Sequence, residues 1–117
     1  MAVSLLVSLL AVPVGAASVT KFSDVSDSYT ATAIETLRLM GVLDGYGDGT
    51  FRPDTVLNRA QFCKMAVYAM DGSGELGRYS TVTIFPDVKP SHWASAYINM
   101  ASRKGIISGF ADGKFKP

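Results

Sequence analysis

The sequence predicts a mainly α-helical protein made of helix–loop–helix repeats, one complete and one truncated before its second helix. Two observations support this prediction. Residues 22–25, FSDV, recur as residues 85–88, FPDV, and residues 45–53, GYGDGTFRP, match residues 109–117, GFADGKFKP. Between these matched segments, apolar residues recur at steps of three and four, the spacing of one helix face. A duplicated segment of this length is the signature of a repeat architecture.

The first helix of each copy has recognisable start and stop signals. In the first copy, Asp27 or Ser28 can cap the amino terminus, and in the second copy Ser91 is the expected cap. The predicted buried faces are Tyr29, Ala33, Ile34, Leu37 and Met40 in the first copy, and Trp93, Tyr97, Ile98 and Ala101 in the second.

Glycines and Asp-Gly pairs shape the end of each first helix and the turn that follows it. Gly adopts the left-handed conformation at little cost, and Asp-Gly is a tight-turn signal. The predicted turn and cap positions are Gly41, Gly45, Asp48, Gly49, Gly105, Gly109, Asp112 and Gly113. Phe51 and Phe115 are expected to pin these turns against the helices.

A second helix is predicted to begin at Asn58. Asn58 and Gln61 have the spacing of a capping box, in which each side chain bonds the other residue's backbone. The expected buried stripe is Phe62, Met65, Ala66 and Ala69, flanked by Cys63 and Met70. Gly72 should end the helix, and residues 71–84 should form an exposed loop.

Residues 1–17 carry no charged side chain and read as a secretory signal peptide. The apolar run 2–14 is shorter than the roughly 20 residues that a membrane-spanning helix requires, but it fits the core of an export signal and is followed by small residues. No Lys or Arg precedes the run. We expect export and no transmembrane span.

Composition excludes several functions. The 117 residues carry a net charge of +1, so the chain lacks the basic surface of a nucleic-acid binder. Cys63 and His92 are the only residues of their kinds, which excludes an internal disulfide and a Cys/His metal cluster. With no recognisable catalytic constellation, we expect no enzymatic activity, no catalytic residue, no metal and no cofactor.

These motifs together resemble the S-layer homology (SLH) family. The resemblance rests on FxDV, the GYGDGTFRPD turn, and Asn58-Arg59-Ala60-Gln61, where the family usually has Thr-Arg-Ala-Glu. It implies one complete module over 18–81 and a truncated second module over 82–117, in a fragment of a longer exported protein. In that family, three modules usually form a spindle that binds a carbohydrate polymer of the bacterial cell wall, commonly one bearing pyruvate ketals.

Arg59 is the first candidate for ligand binding. It lies in the first turn of a helix, where the positive end of the helix dipole disfavours a cation, and its guanidinium can hold a carboxylate with two parallel bonds. The resemblance implies that it contacts the anionic sugar; the alternative is a surface pair with Asp54. By analogy with the family's inter-module grooves, Arg59 and the Asp87/Trp93 region are expected to share one groove.

The other candidates each have a structural alternative. Trp93 can stack on a sugar ring or pack in the core. Asp24 and Asp87 can accept bonds from sugar hydroxyls or organise the start of each repeat. Arg52 beside the turn can add positive charge to a groove or remain solvated.

The predicted function is non-covalent anchoring of an exported protein at the bacterial cell surface, by binding an anionic, pyruvylated secondary cell wall polysaccharide. The first alternative is attachment to peptidoglycan or outer-envelope material. A calcium-binding loop like that of an EF-hand or a dockerin is less favoured, because positions 3 and 12 counted from Asp44 are Tyr46 and Thr55. Lateral self-assembly would require regions outside this chain.

Overall fold

Residues 22–117, which the computed structural model describes, form three α-helices and one 3₁₀ helix. Helix α1 spans Ser28–Leu39, α2 spans Arg59–Ala69, the 3₁₀ helix spans Gly72–Tyr79 and α3 spans Ser95–Arg103. The helix–loop–helix prediction is confirmed. The predicted signal segment 1–17 lies outside the described residues. Within 22–117, none of the helices has the length and apolar character needed to cross a membrane.

Helix α1 buries a narrower face than its periodicity predicts. Asp27 caps it by accepting a bond from the Thr30 backbone N–H at 2.6 Å. Ala31 and Ile34 are buried, whereas Tyr29 and Met40 are 84% and 63% exposed. The prediction that these residues form a buried face was therefore wrong for most of them. The physical reason is the lack of a helical neighbour: within the described residues α1 packs on its own repeat's loops and against no other helix.

Helix α2 is rotated relative to the predicted orientation. Asn58 accepts from the Gln61 N–H at 2.8 Å, and the Gln61 side chain accepts from the Asn58 N–H at 2.9 Å. The buried residues are Ala60, Cys63 and Val67, while Phe62 is 47% exposed, so the predicted Phe62 stripe was wrong. Both faces are apolar, so periodicity could not choose between them.

Two elements pack against the buried face of α2, namely α3 and the 3₁₀ helix. The 3₁₀ helix Gly72–Tyr79 occupies most of the segment predicted as an exposed loop. The Asn99 amide of α3 secures its end by donating to the carbonyls of Tyr79 at 3.1 Å and Val82 at 2.6 Å. This segment is therefore ordered by packing that its Gly-rich composition does not reveal.

Helix α3 begins at Ser95, three residues later than a cap at Ser91 predicts. A turn precedes it, in which His92 Nδ1 accepts from the Ala94 N–H at 3.2 Å. Ala94 stands at the N-cap position and offers no side-chain bond. The prediction of Ser91 as the cap was wrong because this local turn competes with the helix.

Each repeat has its own small core, and the two differ in composition. In both, the Phe of the FxDV segment packs on the Phe after the turn: the ring centroids are 5.5 Å apart for Phe22 and Phe51, and 5.4 Å apart for Phe85 and Phe115. The second core is larger because Ala60 and Cys63 of α2 enter it from the first repeat. Burial raises the pKa of the Cys63 thiol to about 11.

The Asp of the first FxDV segment holds the turn that follows α1. Asp24 accepts from the Phe51 N–H at 2.8 Å through one carboxylate oxygen and from the Arg52 N–H at 2.6 Å through the other. Arg52 has a φ of +60°, a conformation that is uncommon for a residue other than Gly. The carboxylate thus holds the backbone where Arg52 turns toward Pro53.

The second repeat reproduces this arrangement. Asp87 accepts from the Phe115 N–H at 2.9 Å and from the Lys116 N–H at 2.8 Å, and Lys116 has a φ of +57°. In both repeats the bond from the Phe backbone, followed by that from the basic residue, lowers the pKa of the Asp below its ordinary value of 3.8. The FxDV motif is therefore the anchor of the turn 27 to 29 residues later.

We predict that acid weakens the fold through these two carboxylates. Because their pKa values are lowered in the folded state, the unfolded state binds protons more readily, so the stabilisation is present above about pH 4 and is lost as the pH falls through the lowered values. Thermal unfolding followed by circular dichroism should show a midpoint that drops with pH in this range. Asp87→Asn should be less stable at neutral pH and show a shallower dependence; an unchanged slope would contradict the assignment.

We predict that Gly45→Ala and Gly109→Ala destabilise the protein, whereas Gly47→Ala does not. A Cβ at Gly45 would lie 1.8 Å from a ring carbon of Phe22, and one at Gly109 would lie 2.6 Å from a ring carbon of Phe85. At Gly47 a Cβ would meet nothing within 4 Å. Overpacking of this kind costs about 1–3 kcal/mol. Urea unfolding measures the difference, and equal stability of the three variants would show that these contacts relax freely.

Candidate functional site

A groove among the described residues, which we call the Trp93 groove, lies where the first turn and α2 meet Trp93 of the second repeat. It has a volume of about 350 Å³. The first turn contributes Tyr46 and Arg52, α2 contributes Lys64 and Met65, and the second repeat contributes Trp93. The Trp93 groove therefore combines aromatic rings with two cations, and Trp93 is the one lining residue that the second repeat contributes.

Arg52 is held at the edge of the groove by the turn. Its guanidinium pairs with Asp48 at 2.6 Å and lies 4.0 Å from the centre of the Tyr46 ring. The Thr50 hydroxyl bonds Asp48 and, with Arg52, lowers the pKa of Asp48 to about 2. Because the backbone of Arg52 is also fixed by Asp24, the cation has a defined position.

The second repeat carries an equivalent of this arrangement. Lys116 pairs with Asp112 at 3.1 Å and lies 4.5 Å from the centre of the Phe110 ring. The turn therefore places a cation over an aromatic ring in both copies, through the same spacing of residues.

Lys64 is the second cation of the groove, and it is not among the site residues that the sequence predicts. It pairs with Asp44 at 2.5 Å, and its ammonium lies 5.9 Å from the centre of the Tyr68 ring. The available signal was helical spacing: Gln61, Lys64 and Met65 lie three and four residues apart, so they share one face of α2, and all three line the groove.

Trp93 is 56% exposed, so it is not part of the core, which was the structural alternative. Its ring stacks on His92 with centroids 5.8 Å apart and lies 6.4 Å from Tyr97. Tyr97 continues the aromatic row to Tyr68, with the two hydroxyls 3.5 Å apart. Burial, followed by the bond with Tyr68, raises the pKa of Tyr97 to about 12, so its hydroxyl remains protonated at neutral pH.

Arg59 lies in a different place, between the two repeats. Its Nε donates to the Phe115 carbonyl at 3.0 Å and one terminal nitrogen donates to the Ser108 carbonyl at 2.6 Å. The guanidinium also lies 4.8 Å and 4.5 Å from the ring centres of Phe110 and Phe115. The alternative pair with Asp54 is not formed. Instead, the side chain joins the start of α2 to the second turn.

The predicted site residues fall into two groups. Arg52 and Trp93 line the Trp93 groove. Arg59 lines a second cavity beside Phe62 and Ile107, and both it and Asp87 bond the backbone of Phe115. The structure therefore brings Arg59 close to the turn that Asp87 holds, but separates it from the groove of Trp93.

The acidic residues of the first turn are engaged by cations and backbone groups. Asp44 pairs with Lys64, and Asp48 pairs with Arg52 and bonds Thr50. Among residues 22–117, no group of three or more His, Cys, Asp or Glu side chains is placed to hold a metal ion. The geometry of this turn gives no support to the calcium-loop alternative.

Comparison with known proteins finds the same family in both copies of the repeat. The family model described as S-layer homology domain matches residues 21–63 and 84–117. The chain is 35% identical over 111 residues to cell surface glycoprotein 1 of Acetivibrio thermocellus, and 32% identical over 120 residues to a surface layer protein of Brevibacillus choshinensis. It is 35% identical over 98 residues to the cellulosome-anchoring protein of Acetivibrio thermocellus. No solved structure matches the chain.

These alignments cover 88%, 97% and 82% of this chain but only 5%, 11% and 22% of the respective relatives. The relatives are bacterial surface proteins, and the chain is a secreted cell-surface protein of the same group. The two segments matched by the family model comprise well over half of the chain, and each contains one copy of the FxDV-to-turn unit. The chain belongs to the S-layer homology domain family.

Proposed function

We propose that this chain is a non-catalytic anchoring module that attaches an exported protein to the bacterial cell wall by binding an anionic secondary cell wall polysaccharide. The main observation that supports this proposal is the groove lined by Trp93, Arg52 and Lys64. The name of one relative, a cellulosome-anchoring protein, points in the same direction. The signal peptide over 1–17, the module limits 18–81 and 82–117, the three-module spindle and lateral self-assembly stay predictions.

The chemistry of the groove suits an acidic sugar. The exposed face of Trp93 offers a flat apolar surface on which the C–H face of a pyranose can lie. Arg52 and Lys64 supply positive charge at the same groove, where a carboxylate such as that of a pyruvate ketal can be bound. The volume of about 350 Å³ is near the lower end of the roughly 300–1,000 Å³ typical of small-ligand sites.

Arg59 is proposed as a second contact for the polymer. Its guanidinium has five N–H donors, of which the carbonyls of Ser108 and Phe115 use two. Within residues 22–117 no carboxylate forms an ion pair with it. A part-buried cation without a counter-ion attracts an anion, and the positive end of the α2 dipole adds to this attraction.

For Asp24 and Asp87 we propose the organising role. Both oxygens of each carboxylate already accept backbone bonds, so their contribution to binding is to orient Arg52 and the second turn. The alternative ligand, peptidoglycan, is distinguished by experiment: binding that survives removal of the secondary polymer from the wall would identify it.

We predict that the protein sediments with purified cell walls, and that Trp93→Ala weakens this binding by at least about tenfold, or roughly 1.4 kcal/mol. The loss follows from removal of the apolar platform. Tyr29→Ala is the matched control, because Tyr29 occupies the equivalent position of the first repeat, is 84% exposed and lines neither cavity. Walls stripped of the secondary polymer should bind neither the wild-type protein nor the two variants. Equal binding of the wild-type protein to stripped and intact walls would refute the polymer as ligand.

We predict that Arg59→Gln weakens binding to intact walls by several-fold and makes it less sensitive to salt, because a charge contact is lost. Gln retains an N–H donor for one of the two carbonyls, so the change targets the charge. Urea unfolding of the same variant reports any structural loss. Arg78→Gln is the control, because it also removes one positive charge but lies in the 3₁₀ helix. Wall binding and salt dependence unchanged from wild type would restrict Arg59 to joining the repeats.

A further inference from the structure

The two ion pairs at the Trp93 groove differ in how firmly their carboxylates are held. Asp48 is fixed by the backbone N–H of Thr50 at 3.1 Å and its hydroxyl at 2.6 Å, in addition to Arg52. Asp44 has one hydrogen-bond partner for its carboxylate among residues 22–117, the ammonium of Lys64. The side chain of Asp44 is 66% exposed, whereas that of Lys64 is 29% exposed. Asp44 is therefore the carboxylate that can leave.

Resting on the proposed function, we propose that Asp44 is an internal competitor that limits the affinity of the groove for acidic sugars and leaves its affinity for neutral sugars unchanged. Asp44 and the carboxylate of the ligand compete for the ammonium of Lys64. A ligand with a correctly placed carboxylate replaces Asp44 as the partner of Lys64, and the Asp44 side chain rotates away into the solvent. A neutral ligand cannot make this exchange, because it would leave Lys64 without its counter-ion.

The exchange is close to balanced on physical grounds. An ion pair with one largely exposed member contributes little net stability, because water solvates the released carboxylate well. Lys64 is the less exposed partner and lies close to the Tyr68 ring, so its charge gains more from an incoming anion. Lys64 keeps an anionic partner throughout, and only the identity of that partner changes.

The second repeat shows that the fold does not need a carboxylate at this position. The residue equivalent to Asp44 is Ser108, and the turn after it forms with the same geometry: Tyr46 N–H bonds the Thr50 carbonyl at 2.8 Å, and Phe110 N–H bonds the Lys114 carbonyl at 2.8 Å. Asp44 can therefore be replaced without loss of the turn, so a substitution at this position tests the ion pair alone.

Trp93 is the only tryptophan of the chain and lines this groove, so its fluorescence reports on binding at this place. The probes are two mannosides that differ in one group: methyl 4,6-O-(1-carboxyethylidene)-mannoside carries a carboxylate, and methyl 4,6-O-ethylidene-mannoside lacks it. Each is titrated into the full chain, the variants Asp44→Asn and Lys64→Met, and two charge-matched controls, Asp71→Asn and Lys104→Met. Asp71 and Lys104 do not line the groove, and Asn tolerates the left-handed conformation of Asp71.

We expect Asp44→Asn to bind the acidic probe about two- to fivefold more tightly than wild type, the range expected for an exposed ion pair. Lys64→Met should bind it more weakly, by a similar factor. The neutral probe should show no change in either variant, and the controls should match wild type for both probes.

The inference is overturned if Asp44→Asn leaves the affinity for the acidic probe unchanged, if it tightens both probes equally, or if Asp71→Asn has the same effect. It is also overturned if wild type sediments with intact cell walls but does not bind the acidic probe. Failure of wild type to sediment with cell walls is a different result, and it would refute the proposed function itself.

Discussion

The packing of α2 into the second repeat is the interaction on which the rest of the structure depends. Ala60 and Cys63 are buried among side chains that follow the second FxDV segment, so a helix of one repeat completes the core of the next. Small residues at these two positions let the helix approach closely. The contact of α2 with α3 and the 3₁₀ helix follows from this placement, as do the contacts of Arg59 with the second turn. The same packing brings Trp93 of the second repeat to the groove that the first repeat lines.

A second constraint acts within each repeat. One carboxylate, Asp24 or Asp87, bonds two consecutive backbone N–H groups far along the chain. This places a basic residue with positive φ over an aromatic ring, in both copies. Positioning of a surface cation therefore depends on backbone geometry, and that geometry is repeated because the motif is repeated.

Much of this fold could be predicted from the sequence because its signals are local. The cap at Asp27, the Asn58–Gln61 box and the first two helices depend on residues within a few positions of one another. Burial was predicted less well. Tyr29 and Phe62 continue apolar patterns but are exposed, because the neighbouring elements cover other faces of their helices. The start of α3 was missed for a different reason, since the turn around His92 uses the residues that a cap would need.

In the candidate site, too, local features could be predicted from the sequence and tertiary relations could not. Sequence alone determined the repeat, the turns and the residue types with binding chemistry, because helix periodicity, capping and turn formation are short-range properties of the chain. Only the tertiary structure decided that Trp93 and Arg52 share a groove, that Lys64 joins them, and that Arg59 lies apart from Trp93. These relations join residues from different repeats, whose distances are set by the rotation of α2 in its packing. Since apolar residues occur on two faces of that helix, its sequence is compatible with either rotation, and the burial of Ala60 and Cys63 against α3 selects one.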